Sequence, residues 1–112
     1  MDATRRARLE QALHDMEAQL AREDAATTES RKAVTLDQQS VGRLSRMDAM
    51  QQQAMARAQS AHRAAQRKRI RAALERIAEE EFGYCESCGE EIAPARLEHD
   101  PATPRCIDCA RG

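Results

Sequence analysis

Residues Phe82–Glu91 read FGYCESCGEE. Two thiols, Cys85 and Cys88, stand three positions apart, with Gly89 directly after the second. A second pair, Cys106 and Cys109, repeats the spacing after seventeen intervening residues. This C-x2-C…C-x2-C arrangement is the spacing of a zinc site. Zinc takes four soft ligands in a tetrahedron, and each C-x2-C turn supplies two thiolates. A glycine after the second thiol relieves crowding where the backbone turns around the metal. Cys85, Cys88, Cys106 and Cys109 are therefore expected to hold one zinc ion. Four thiolates leave no open position for a reactive water, so the ion is expected to be structural rather than catalytic. His99, inside the intervening loop, and His14 and His62, on helices, are expected to be surface histidines.

The surroundings of the thiols fit a metal-dependent module. Residues 82–112 hold three of the four glycines, all three prolines and all four cysteines. One Phe, one Tyr, two Ile and one Leu are too few apolar side chains to hold that segment together unaided, so metal binding and folding are coupled. Paired redox cysteines of the thioredoxin type need a βαβ scaffold, which this chain lacks.

Upstream, the texture is that of long solvated helix. Before residue 82 the only glycine is Gly42 and there is no proline. Leu9, Leu13, Met16 and Leu20 step by four, three and four, an apolar seam that packs along another helix. Thr27 and Val34 keep that phase, while Glu23 and Ser30 break it. From Ser45 to Glu81 the chain reads as helix again, alanine-rich, with Ile70, Leu74 and Ile77 restating the step. The break near Gly42 predicts an antiparallel helical hairpin over residues 1–81, with its connection near 35–46, rather than one long helix dimerising in parallel. The fold class expected is thus mainly α, a long helical hairpin (coiled coil) followed by a four-cysteine zinc-finger module over 82–112.

Composition narrows the function classes. Phe82 and Tyr84 are the only aromatic residues, fewer than an ordinary globular core uses. The net charge of −1 is distributed unevenly. No acid lies between Ala49 and Leu74, where Arg57, Arg63, Arg67, Lys68, Arg69 and Arg71 fall. The module is acidic, with Glu86, Glu90, Glu91, Glu98, Asp100 and Asp108 against Arg96, Arg105 and Arg111. An acidic module without stacking aromatics or a recognition helix is a poor reader of nucleic acid, so direct DNA binding is not expected. No apolar run approaches the ~20 residues of a membrane span, and no signal-like stretch follows the N-terminus. A cytoplasmic monomer without membrane attachment is expected, and there paired cysteines point to metal rather than to disulfides. Arg63, Arg67 and Arg71 recur every four residues and form a candidate partner-binding stripe.

The C-terminal residues resemble the TraR/DksA family of C4 zinc-finger proteins. The likeness is carried by Phe82-Gly83-Tyr84, Cys85-Glu86-Ser87-Cys88-Gly89, Ile92, Arg96-Leu97, Pro101 and Cys106-Ile107-Asp108-Cys109. It implies a protein that binds RNA polymerase through a helical hairpin entering the secondary channel. There acidic tip residues act near the catalytic centre and modulate initiation, often with the alarmone ppGpp. Counted back from Cys85 without gaps, the family's D-x-x-D-x-A tip falls on Gly42, Ser45 and Met47, where nothing matches. The nearest acids are Asp37 and Asp48, so either Asp48-Ala49 is a displaced version of the tip or the tip chemistry is missing. Positions that are basic in alarmone-binding members fall on Asp100 and Ala110, while Arg69 keeps one basic site. The alternatives are a zinc-dependent nucleic-acid-binding protein and a redox-responsive interaction protein.

Overall fold

A computed structural model of the chain describes residues 1–41 and 46–112, with side chains described outside 29–45. The element order is α1 (Ala3–Val41), α2 (Arg46–Ala78), α3 (Pro94–His99) and α4 (Ile107–Ala110). Among the described residues there is no strand, only an isolated antiparallel bridge between Tyr84 and Glu91. The architecture is a long helical pair followed by a small four-cysteine module. The first helix continues to Val41, past the Thr35 at which a connection was expected to begin. Gly42 and Ser45, the turn and capping candidates of that connection, lie outside the described residues.

Asp2 starts α1. Its carboxylate accepts the Arg5 N–H at 2.7 Å, and its carbonyl accepts the Arg6 N–H at 3.1 Å. These bonds satisfy donors that the first turn of a helix leaves without partners. The end of α2 is closed by a Schellman arrangement. Glu81 N–H donates to the Arg76 carbonyl at 2.8 Å and Glu80 N–H to that of Ile77 at 3.2 Å. Glu80 sits at φ +60°, the left-handed position that glycine usually fills.

The chain divides into two compact units, one of residues 1–18 with 67–112 and one of residues 19–66. In the first, the buried apolar side chains are Leu9 and Leu13 of α1, Ile70 and Ala73 of α2, and Phe82, Cys85, Ile92, Leu97 and Ala102 of the module. Helix ends and module therefore share one core, which supplies the apolar area that the module alone lacks. Ion pairs fasten them together: Arg8 to Glu98, and Arg69 to Asp100 at 2.7 Å.

In the second unit none of the described residues is fully buried. Leu20, Asp24 and Thr27 are the half-buried positions of α1, and Ala49, Ala56, Arg63 and Gln66 those of α2. Glu23, out of phase in the sequence, is exposed, and Asp24 takes its place in the seam. The Arg63 guanidinium reaches Asp24 at 2.5 Å, its side chain only 12% exposed against 34% for the carboxylate. Within the first unit Arg71 pairs with Glu17 at 3.3 Å. Moving from Asp24 back to Glu17 on α1 corresponds to moving forward from Arg63 to Arg71 on α2, which is antiparallel pairing.

Candidate metal centre

The module's first limb is a tight hairpin. Ile92 N–H donates to the Gly83 carbonyl and Cys85 N–H to that of Glu90, both at 2.8 Å. Gly83 at φ +96° and Gly89 at φ +76° take backbone conformations that side chains other than glycine's strain to adopt. Gly89 N–H closes the first C-x2-C turn onto the Cys85 carbonyl at 2.9 Å. The expectation that Gly89 serves the turn after the second thiol is thus met by a left-handed residue at that place. The returning limb docks through Glu86 N–H to the Pro104 carbonyl at 2.9 Å, and Arg105 pairs with Glu86 at 3.3 Å. The second C-x2-C turn coincides with α4, Cys106 at its N-cap and Ala110 N–H bonded to the Cys106 carbonyl at 3.0 Å.

This folding brings the four thiols, eighteen or more residues apart between pairs, into one cluster. The sulfurs of Cys85, Cys88, Cys106 and Cys109 all lie within 4.8 Å of one another. The Cys88 and Cys106 sulfurs are 3.7 Å apart. Tetrahedral zinc with bonds of ~2.3 Å requires sulfurs about 3.8 Å apart, so the cluster fits that ion with small adjustments. The cysteine cluster could hold one zinc ion.

The electrostatics of the cluster also favour a cation. The backbone N–H groups of Cys106, Cys88 and Ser87 point at the Cys85 sulfur and hold its thiol down at about 6; the Ser87 N–H lies 3.4 Å away. Cys109 is pushed up to about 12, first by the neighbouring Cys106 thiol and then by Cys85 and Cys88. The cage thus favours the Cys85 thiolate and resists ionisation of Cys109, and Cys88 is raised as well. A dication at the centre reverses that balance and makes four thiolates the stable state.

The remaining candidate residues lie elsewhere. Asp48 is exposed in the first turn of α2, where a carboxylate is favoured by the helix dipole, and Ala49 is half-buried beside it. Arg63 and Arg71 are engaged with Asp24 and Glu17, and Arg67 is half-buried. Asp100, at a position expected to be basic in alarmone-binding relatives, is ion-paired with Arg69. Asp2, Glu80 and the Asp24–Arg63 pair were not singled out from the sequence. For Asp2 the signal existed, an acid directly before a long helical run. Among the described residues no helix is long and apolar enough to cross a membrane.

Residues 80–112 match the family model of the prokaryotic DksA/TraR C4-type zinc finger. Over 42 residues the chain is 52% identical to the RNA polymerase-binding transcription factor DksA of Escherichia coli strain K12 and to that of Salmonella typhimurium. It is 50% identical over the same length to the DksA of Haemophilus influenzae. These matches cover 38% of this chain and only 28–29% of the relatives' own length. Transcription factor DksA2 from Pseudomonas aeruginosa has the same fold, with a TM-score of 0.82 at 20% identity over 99% of this chain and 84% of that one.

Proposed function

We propose that this chain, whose residues 80–112 match the prokaryotic DksA/TraR C4-type zinc finger, binds RNA polymerase directly and modulates transcription initiation. The hairpin enters the polymerase's secondary channel, and the zinc-bound module anchors its base. The observation that carries this reading is the 52% identity, over 42 residues, to proteins named RNA polymerase-binding transcription factors. The shared fold is consistent with it.

In this reading the zinc ion is structural, held by Cys85, Cys88, Cys106 and Cys109, and there is no enzymatic step. Asp48-Ala49 serves as the displaced acidic tip, with Arg63, Arg67 and Arg71 on the flank of the arm. Asp100 places a carboxylate against Arg69 where a phosphate would need a cation, which speaks against a ppGpp site there. Duplex DNA is a poor alternative partner. The module is acidic, with Glu86, Glu90, Glu91, Glu98, Asp100 and Asp108 against Arg96, Arg105 and Arg111, and Arg105 is itself engaged by Glu86, which disfavours contact with phosphates.

The test is binding of the zinc-loaded protein to bacterial core RNA polymerase, beside a duplex-DNA control at the same salt. Saturable binding to polymerase alone is expected. Salt-sensitive binding to DNA without binding to polymerase would overturn the proposal. Asp48→Asn should keep binding and lose the effect on initiation. An unchanged effect removes Asp48 from the mechanism.

A further inference from the structure

The core of the first unit is left open at one edge. Where the start of α1 meets the module's first limb, a cavity of about 160 Å³ opens to solvent. Phe82, Ile92 and Leu97 line it and are buried, whereas Met1, Tyr84 and Pro94 line it and are exposed. Met1 and Tyr84 keep 49% and 46% of their surface although they stand beside the core. A smaller hollow of about 90 Å³ shares Met1, Phe82 and Tyr84 with the first. Gly83 helps to keep the space free. A Cβ at that position would come 3.0 Å from the Met1 methyl carbon and 4.0 Å from a Leu97 methyl.

Size and polarity together select an occupant. Small-molecule sites enclose roughly 300–1,000 Å³, so this cavity is the size of a single side chain. An apolar cavity of about 150 Å³ accepts a benzene ring. Two charged residues also line it, the half-buried Arg5 of α1 and the exposed Glu91. Neither makes an ion pair among the described residues. A guanidinium is attracted to the face of an aromatic ring, and the Met1 thioether packs well against one. A carboxylate accepts a hydrogen bond from a phenol, whereas an aliphatic side chain would desolvate it without return. A lysine in the cavity would be opposed by Arg5, and an acid by Glu91. The side chain that meets all of these groups is tyrosine, apolar along its body and polar at its tip.

We propose that this cavity receives one tyrosine side chain from the surface of RNA polymerase, its ring between Met1, Tyr84 and Pro94 and its hydroxyl donating to Glu91. This rests on the polymerase-binding reading above and adds to it an anchor in the unit that carries the metal centre. Aromatic side chains seated in a partner's pocket are the contacts that dominate protein interfaces.

The test uses the zinc-loaded full chain and bacterial core RNA polymerase. Arg5→Ala and Glu91→Ala are combined in one variant. Neither side chain is in the buried core, so helicity, zinc content and Tm should match the wild type. Affinity for polymerase should fall about tenfold. The occupant is tested separately on the free protein. N-acetyl-tyrosinamide, added at millimolar concentration, should shift the amide signals of Gly83, Tyr84, Glu91 and Ile92, and N-acetyl-leucinamide should shift them much less. Wild-type affinity in the double variant, or equal shifts with the two probes, overturns this inference while the polymerase reading stands. Failure of the wild-type protein to bind polymerase overturns both.

Discussion

Asp24 and Arg63 form an ion pair in a seam otherwise built of apolar and small residues, and their energetics can be worked through. At an effective dielectric of about 20, opposite charges about 4 Å apart attract by roughly 4 kcal/mol. Desolvating the Arg63 side chain, 12% exposed, consumes much of that gain, and the 34% exposed carboxylate is screened by water. Asp24→Leu should therefore cost about 1–2 kcal/mol, because it leaves a nearly dry guanidinium without its carboxylate. Arg63→Leu should cost less, about 0.5–1 kcal/mol, since Asp24 can still hydrate. The double variant, which extends the apolar seam, should be as stable as the wild type or up to about 1 kcal/mol more stable. Urea unfolding of the four zinc-loaded proteins, followed by far-UV circular dichroism, gives the coupling energy. Additive single effects, with coupling below about 0.3 kcal/mol, would refute the claim that the pair acts as a unit in the seam.

Three further outcomes follow from particular residues. Cys109→Ser should reduce bound zinc well below one ion per chain by metal analysis and broaden the amide signals of residues 82–112, because the module's fold is tied to the ion. Glu80→Gly should raise stability by about 0.5–1 kcal/mol in thermal unfolding, since glycine occupies the left-handed position at the end of α2 without a Cβ clash. The N-terminus of α1 should weaken on acidification. The Arg5 N–H holds the Asp2 carboxyl below its usual 3.8, so this stabilisation is present above that value and is lost as pH falls through the lowered one. Helicity of Asp2→Ala should lack that acid step.

How far the sequence disclosed this arrangement varies along the chain. The metal centre was legible because ligand spacing is set by coordination geometry, which tolerates little variation. Leu9 and Leu13 were legible because they are apolar at helical spacing and are buried as the seam requires. Further along, the seam continues through Asp24 and Arg63, and apolar periodicity carries no information about a charged pair that packs inward. The half-buried line Ala49, Ala56, Arg63 was hidden because α2 carries alanine on several sides, which blurs any stripe. Thr35, a residue of weak helical preference, lies inside α1, which ends at Val41 within the range 35–46 read for the connection. The Schellman closure at Glu80 was invisible, since glutamate carries no signal for a left-handed conformation.

The uneven distribution of burial sets how the arm responds when it is grasped. Leu13 and Ile70 are fully buried, so slow amide exchange is expected there, whereas none of the described residues of 19–66 is fully buried and exchange through local opening is expected among them. A partner that covers that stretch supplies contacts the helices lack on their own. Part of its interaction energy is then spent on quieting local opening rather than on holding the complex.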